Sequence, residues 1–211
     1  MQPRPPPPAS RAVPATTRDP SRHPGVEFAG EVVAHGSGVG TAVIQIASVL
    51  GCPLTGTART PEELERARAL GLDHGVVAPN ELDPATLTGL LSANGAPDVV
   101  IDLVGGAYVT ADVLAAALFG RIVIVGTLAG GEATLPLLPL MRKRLRLLGT
   151  MLRIRSAEEK AAMTAAFMPE MGRHLASGRI TPVVDRVLPL DEAPAAYELL
   201  ASDTTFGKVV L

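Results

Sequence analysis

The sequence predicts an α/β protein with a doubly wound parallel sheet, and three observations support this prediction. Strand and helix patterns alternate along the chain from residue 26 onward. The predicted strands include continuous apolar runs at 98–102 and 121–125, which are typical of strands buried on both faces of a sheet. Glycine, proline and capping residues separate the elements at short intervals, as expected where strands and helices alternate.

The first half of the chain shows clear starts and stops for its elements. The predicted elements are strands at about 26–34, 53–58 and 76–77, and helices at about 39–50, 61–70 and 84–93. Gly51 ends the first helix. Thr60 and Glu63 form a capping box with Pro61 at the first helical position, and Asp83 is in the N-cap position of the third helix.

The second half continues this order and then departs from it. The predicted elements are strands at about 98–102, 121–125, 145–148, 150–154, 183–184, 187–188 and 208–211, and helices at about 107–119, 157–176 and 191–201. Gly105 and Gly126 end two of the strands, and Ser156 with Glu159 forms a second capping box. The last three strands have no obvious place in a parallel sheet.

Composition excludes several classes of function. With 211 residues, of which 47% are hydrophobic and 19% charged, the chain is typical of a globular protein. The net charge of −2 gives no general attraction to nucleic acid or membrane. The single cysteine, Cys52, excludes an internal disulfide and a multi-cysteine zinc site, so we expect a cytoplasmic protein without a metal. Every apolar run is too short to span a membrane, and no secretory leader is predicted.

The first 25 residues have a different composition from the rest. Prolines stand at positions 3, 5–8, 14, 20 and 24, among several arginines. Such a segment forms neither helix nor sheet and has little apolar surface to bury. We predict a disordered tail over 1–25, with a proline-rich ligand for a partner domain as the alternative.

A glycine-rich turn joins the first predicted strand to the first predicted helix. Gly36, Gly38 and Gly40 have no Cβ, so backbone N–H groups can approach a phosphate at the positive end of the helix. The spacing departs from G-x-G-x-x-G because the third glycine comes one residue early, and a plain tight turn is the alternative. The predicted cofactor-binding residues of this turn are Gly36, Ser37, Gly38, Val39 and Gly40.

Further motifs follow the glycine turn in a fixed order. With that turn they cover residues 36–45, 57–62, 102–106, 120–123, 148–150, 178–180 and 206–211. Together they resemble the medium-chain dehydrogenase/reductase superfamily, and are most similar to its zinc-free quinone oxidoreductases of the zeta-crystallin-like and p53-inducible types. The resemblance covers residues 35–211 and implies a Rossmann domain that binds NADP over about 35–176.

The N-terminal part of the resemblance is incomplete. Residues 24–34 resemble a landmark of the family's GroES-like catalytic domain, which in the family lies about one domain, roughly 100 residues, before the glycine turn. Here the two are adjacent, so most of that domain is expected to be missing. Residues 26–34 are then a remnant of the GroES-like domain or a substitute first strand, and residues 177–211 are expected to return to this remnant.

Arg59 and Thr60 follow the second predicted strand, where this fold places residues next to the ribose 2′ position of a dinucleotide. An acid here is typical of NAD binding, whereas a cation and a hydroxyl suit the 2′-phosphate of NADPH. We predict NADPH, with a solvated loop arginine as the alternative. Glu63 stands where many relatives have lysine, and its carboxylate would repel phosphate unless it turns back toward the helix start.

By resemblance, the loops after the later strands approach the nicotinamide. The residues implied are Val104, Gly105, Val125, Gly126, Thr127, Gly149 and Thr150. No acid, base or nucleophile is predicted, because hydride transfer to a quinone depends more on alignment of the two rings than on a proton relay. Asp102, at a strand end, is predicted to cap the following loop rather than to act in catalysis.

Basic residues are concentrated between positions 142 and 155. They are Arg142, Lys143, Arg144, Arg146, Arg153 and Arg155. Their alternation with apolar residues is typical of a half-exposed strand, and the lack of nearby aromatic residues disfavours nucleic acid binding. The resemblance places here an edge strand that pairs with its own copy, so we predict a homodimer through residues 145–154.

The function implied by the resemblance is that of an NADPH-dependent oxidoreductase, which transfers a hydride to a quinone or to an activated carbonyl or alkene. A non-catalytic dimer that binds NADPH is the main alternative, because most of the catalytic domain is expected to be missing. A chain whose last strands have lost their partners, and which therefore does not fold stably, is the third hypothesis.

Overall fold

The computed structural model describes residues 28–31, 38–78, 83–202 and 204–211. Its strands are β1 (Phe28–Glu31), β2 (Leu54–Ala58), β3 (His74–Val77), β4 (Val99–Asp102), β5 (Arg121–Ile124), β6 (Arg146–Gly149), β7 (Val184–Val187) and β8 (Lys208–Val210). Its helices are α1 (Val39–Val49), α2 (Pro61–Arg68), α3 (Pro84–Ser92), α4 (Ala107–Ala115), α5 (Leu137–Arg142), α6 (Ala157–Ala176) and α7 (Ala193–Ala201). The predicted tail over 1–25 lies outside the described residues.

Six strands form one sheet in the order β3-β2-β1-β4-β5-β6, and every neighbouring pair is parallel. The strand order reverses between β1 and β4, which is the switch point of a Rossmann sheet. The prediction of a doubly wound parallel α/β fold is therefore confirmed. Gly30 of β1 pairs with Gly56 on one side and Ile101 on the other, so this segment is the central strand. Its origin in a GroES-like domain stays a prediction.

Helices cover both faces of the sheet. Right-handed crossovers place α1 and α2 on one face and α3, α4 and α5 on the other. On the first face, Ile44, Leu54 and Leu64 belong to one buried apolar cluster. On the second face, Leu87 and Tyr108 belong to another. This burial on both faces explains why β4 and β5 are nearly continuous apolar runs.

The predicted strand over 150–154 is wrong. β6 ends at Gly149, and Arg155 N–H donates to the Leu152 carbonyl at 3.3 Å, which closes a turn. The chain must turn here because Ser156 is the N-cap of α6, and its capping box with Glu159 is complete. The alternation of charged and apolar residues over 150–154 therefore belongs to a turn and not to a pleated strand.

Three further elements differ from the prediction. The helix predicted to reach residue 119 ends at Ala115, because Ala116 is extended and Ala117 N–H donates to the Pro97 carbonyl at 2.9 Å. The short helix α5 was missed, since six residues carry too little periodicity to detect. The strands predicted at 183–184 and 187–188 are the single strand β7, which pairs in parallel with β8.

The C-terminal segment is held against α1 and α2. Thr181 N–H donates to Gln45 Oε1 at 2.8 Å, and Gln45 Nε2 donates to the Thr181 carbonyl at 3.0 Å. The ring of Phe206 belongs to the buried cluster beneath α1 and α2, with the Arg66 guanidinium 4.6 Å from its centre. The last strands thus pair with each other and pack on the large sheet's helices. The boundaries at 35–176 and 177–211 stay predictions.

Glycine at position 119 should be more stable than alanine there. Phe119 has a φ of 64°, in the left-handed region, which costs a residue with a side chain about 1–2 kcal/mol. F119G and F119A both remove the ring, which lies 4.1 Å from the Arg144 guanidinium, but only F119G relieves the strain. After the flexibility that glycine adds to the unfolded chain, we expect the free energy of unfolding of F119G to exceed that of F119A by about 0.5 kcal/mol in urea titrations. Equal stability of the two variants would contradict this prediction.

Candidate functional site

The loops at the carboxyl ends of the strands carry most of the predicted site residues. All six strands of the large sheet run parallel, so the loops after β2, β4, β5 and β6 emerge at one edge. In open α/β sheets, ligands bind outside this edge, at the switch point. The structure therefore brings Arg59, Gly105, Gly126 and Gly149 to the same edge.

A cleft of about 380 Å³ lies where β5 and β6 end. The residues that line it are Ile124, Val125, Gly126, Thr127, Gly149, Thr150, Met151 and Ile154. Five of the predicted residues are therefore neighbours in space. Met151 and Ile154 were missed because their segment was assigned to a strand, and their side chains are 59% and 77% exposed.

A smaller cavity of about 190 Å³ adjoins this cleft and shares Ile124 and Thr127 with it. Gly105 lines the cavity, and a Cβ there would lie 3.0 Å from the Gly130 carbonyl oxygen and 3.1 Å from Thr127 Cα. The loops after β4 and β5 approach each other this closely because Gly105 has no side chain. Val104 has a different position: its side chain is in the buried cluster between α3 and α4.

Asp102 holds the loop after β4. Its Oδ1 accepts hydrogen bonds from Val104 N–H at 2.7 Å and Gly105 N–H at 2.9 Å. Burial raises the pKa of this carboxyl, although the two backbone N–H groups and the Asp112 side chain act in the opposite direction. The predicted capping role of Asp102 agrees with these contacts. The buried Asp102 carboxylate therefore fixes the shape of the glycine-rich loop after β4.

The start of α1 forms a second part of the site. Gly38 is the N-cap of this helix, Thr41 Oγ1 donates to its carbonyl at 3.1 Å, and Gly40 is buried. A Cβ on Gly38 would lie 2.9 Å from Cε of Lys208, so the stem of this lysine crosses the helix N-terminus. Gly36 and Ser37 lie outside the described residues. Val39, in the first turn, is 38% exposed.

Lys208 is a candidate site residue that sequence reasoning did not single out. It belongs to β8, far beyond Gly38 in the chain, and only the packing of the small second sheet brings it to α1. The signal available in the sequence was the Gly207-Lys208 pair within the C-terminal family motif.

Arg59 and Thr60 lie directly after β2. Thr60 is the N-cap of α2, and its hydroxyl accepts from Glu63 N–H at 3.3 Å. The Glu63 carboxylate turns back, but it accepts from Arg59 N–H at 3.0 Å and lies 3.6 Å from the Arg59 guanidinium. The predicted turn of Glu63 toward the helix start is therefore present, one residue earlier than in a standard capping box.

Metal-ligand clusters and membrane-spanning helices are both absent among the described residues. In the part of the chain that the structure covers, no three His, Cys, Asp or Glu side chains meet as metal ligands would. Within the same ranges, no helix has the length and apolarity needed to cross a bilayer.

The sequence was compared with known protein families. The family described as zinc-binding dehydrogenase matches residues 38–167, from the N-cap of α1 into α6. The chain belongs to this family. The matched residues include β2–β6 and α1–α5, so the match lies in the Rossmann part of the chain. This match places the chain in the medium-chain dehydrogenase/reductase superfamily.

Individual relatives in the zinc-binding dehydrogenase family are oxidoreductases by name. The chain is 28% identical over 182 residues to "NAD-dependent alcohol dehydrogenase" of Sulfolobus acidocaldarius, covering 85% of this chain and 49% of that protein. It is also 28% identical to "Quinone oxidoreductase-like protein 2" of Bos taurus, covering 85% and 51%. The solved quinone oxidoreductase of Thermus thermophilus, described with NADPH, superposes with a TM-score of 0.65 at 32% identity, covering 87% and 57%.

The chain spans about half the length of the curated relatives it matches. The shared half is the one that contains the cleft and the start of α1. Activity, substrate and partners of the longer relatives are therefore not assigned to this chain by similarity alone.

Proposed function

We propose that this chain is an NADPH-dependent oxidoreductase of the zinc-free quinone-reductase type, which transfers a hydride to a quinone or to an activated carbonyl or alkene. The observation that carries the proposal is the convergence of three features at one sheet edge. These features are the start of α1 with Lys208, the Arg59 loop after β2, and the 380 Å³ cleft after β5 and β6. A bound dinucleotide needs a phosphate site, a ribose site and a ring site.

The two ends of the site suit different parts of the dinucleotide. Helix α1 presents its N-terminal N–H groups, and the Lys208 stem runs beside Gly38, where both favour a pyrophosphate. Arg59 and Thr60 present a guanidinium and a hydroxyl to the ribose end. Gly126 and Gly149 leave open the cleft in which the nicotinamide would lie. The cofactor supplies the hydride when bound, and the chain orients it.

The chemistry of the cleft favours an acceptor that needs no protein acid or base. Among the described residues that line it, none has an acidic or basic side chain. Met151 and Ile154 give it an exposed apolar wall, which suits a flat apolar ring such as a quinone. Alignment of two rings is then the main contribution of the protein to the rate.

A homodimer through β6 is part of the proposal. Strand β6 is the last in the sheet order, with β5 on one side. Leu147 and Leu148 are 37% and 48% exposed on this strand, and pairing with a second copy would cover them. The pairing segment is shorter than first predicted, since the strand stops at Gly149. We keep a cytoplasmic setting as a proposal, in agreement with the single Cys52.

Titration with NADPH and NADH tests the proposal. The chain has no tryptophan, so the emission of the reduced nicotinamide itself is the signal, excited directly. We expect saturable binding of NADPH, and a loss of affinity of about tenfold in K208Q, because a charge-assisted contact to phosphate is removed. K160Q, which makes the same charge change on the outer face of α6, should bind as the wild type does. Binding of neither dinucleotide would reject the proposal.

The non-catalytic alternative is supported by the exposure of the apolar residues of the cleft, since Met151 and Ile154 are 59% and 77% exposed. Steady-state oxidation of NADPH separates the two hypotheses. Turnover with benzoquinone or naphthoquinone at a rate above the protein-free reaction supports the enzyme. Saturable binding without turnover for either quinone supports a cofactor-binding protein.

A further inference from the structure

We propose that Glu63 sets the cofactor preference of this chain, by weakening the affinity for a 2′-phosphate that Arg59 would otherwise give. This inference rests on the proposed function, because it concerns the ribose end of the same dinucleotide site. It makes the chain a protein that accepts both NADPH and NADH, with a modest difference between them.

The geometry places the Glu63 carboxylate at the end of β2. Its Oε2 accepts from Arg59 N–H at 3.0 Å, and Arg59 is the first residue after that strand. Its Oε1 lies 3.6 Å from a guanidinium nitrogen of Arg59. The Glu63 and Arg59 side chains are 12% and 17% exposed, so both are held in place and are only partly screened by water. A carboxylate thus lies beside the end of β2, the segment on which dinucleotide-binding folds place an acid, although it comes from α2.

The charge at this position opposes the one that Arg59 provides. A guanidinium that faces a carboxylate offers less net attraction to a 2′-phosphate than one without such a neighbour. The same carboxylate repels the phosphate directly and has further lone pairs to accept a hydrogen bond from a ribose 2′-hydroxyl. Each effect makes the preference for NADPH over NADH smaller than Arg59 and Thr60 would give without Glu63.

The neighbouring acids provide a matched control. Glu65 lies two residues further along α2, where its carboxylate pairs with Arg68 and its side chain is 71% exposed. Removing the charge of Glu65 therefore changes the net charge of the helix by the same amount as removing that of Glu63. A difference in nucleotide affinity between E63Q and E65Q therefore reports the position of the Glu63 carboxylate at the end of β2, and not the loss of one negative charge from α2.

Calorimetric titration with small nucleotides tests the inference on the full chain. The probes are adenosine 2′,5′-bisphosphate, which carries the 2′-phosphate, and adenosine 5′-monophosphate, which does not. E63Q keeps the shape of Glu63, and its amide oxygen still accepts from Arg59 N–H. We expect E63Q to bind the bisphosphate about tenfold more tightly than the wild type and the monophosphate within about twofold. E65Q should change neither affinity by more than about twofold.

A second variant keeps the test decisive if E63Q folds poorly. R59Q, made in the chain that keeps Glu63, should weaken binding of the bisphosphate only a few-fold, because the carboxylate already offsets the guanidinium. A loss of more than about tenfold in R59Q alone overturns the inference. Where E63Q folds, R59Q in that background should cost about tenfold or more. Equal affinities of E63Q and E65Q for the bisphosphate overturn the inference while leaving the proposed function intact. Failure of every variant to bind NADPH, NADH and both probes overturns the proposed function and this inference with it.

Discussion

Replacing Asp102 by alanine should destabilise the protein by about 3 kcal/mol and abolish saturable dinucleotide binding. Asp102 is 1% exposed, and its Oδ1 accepts from both Val104 N–H and Gly105 N–H. Each buried donor left without an acceptor costs about 1–3 kcal/mol. The loop after β4 borders the cavity that adjoins the cleft, so its collapse also affects the cofactor site. Urea unfolding followed by circular dichroism measures the loss in stability.

Asparagine at position 102 separates hydrogen bonding from charge. Its amide oxygen can still accept from the loop, so D102N should stay within about 1 kcal/mol of the wild type. Burial raises the pKa of Asp102 in the folded protein, so its contribution to stability is fully present below the unfolded pKa and is lost as pH rises through the folded pKa. D102N has no such titration, so the stability of D102N relative to the wild type should increase with pH over this range. If the difference in free energy of unfolding between D102N and the wild type stayed constant with pH, the raised pKa of Asp102 would be contradicted.

Alanine at Gly126 should cost about 3 kcal/mol and close part of the cleft. The added Cβ would lie 2.5 Å from the Leu103 carbonyl oxygen, and 3.2 Å from the Leu103 carbonyl carbon. These atoms are backbone, so the ends of β4 and β5 must move apart, which costs about 1–3 kcal/mol or more in a packed interior. Val125 N–H and Gly126 N–H both donate to the Asp102 carbonyl, and moving the two strand ends apart weakens both hydrogen bonds. The measurements are thermal unfolding and NADPH titration.

Gly131 provides the control for this substitution. It lies in the loop after β5, and a Cβ there would meet nothing within 4 Å. G131A should change the free energy of unfolding by no more than about 0.5 kcal/mol. Equal stability of G126A and G131A would show that the backbone at Leu103 yields more easily than its packing suggests.

Local signals in the sequence were sufficient for most elements of the fold. The N-caps at Thr60, Asp83 and Ser156 each start a helix at the predicted residue. These signals succeed because a cap is satisfied within a few residues of chain, whatever the tertiary structure. The wrong strand at 150–154 has the opposite cause, since alternation of charged and apolar residues is produced by a turn as well as by a pleated edge.

The candidate site was predictable where glycine had to be present. Gly105 and Gly126 lie where two loops approach each other within van der Waals distance, and such positions accept no side chain. Val104 was grouped with them by its position in a motif, yet its side chain packs into the core. Sequence position therefore identified the loop, while the direction of each side chain depended on the helices packed against it.

The sequence by itself determined the alternation of strands and helices, the helix starts, and the set of loops at the carboxyl edge of a parallel sheet. These features depend on residues a few positions apart. Only the tertiary structure decided that residues 28–31 form the central strand, that Lys208 lies across the start of α1, and that Glu63 contacts Arg59. The first two join segments far apart in the chain, and the third depends on one rotamer among several, so no local pattern encodes them.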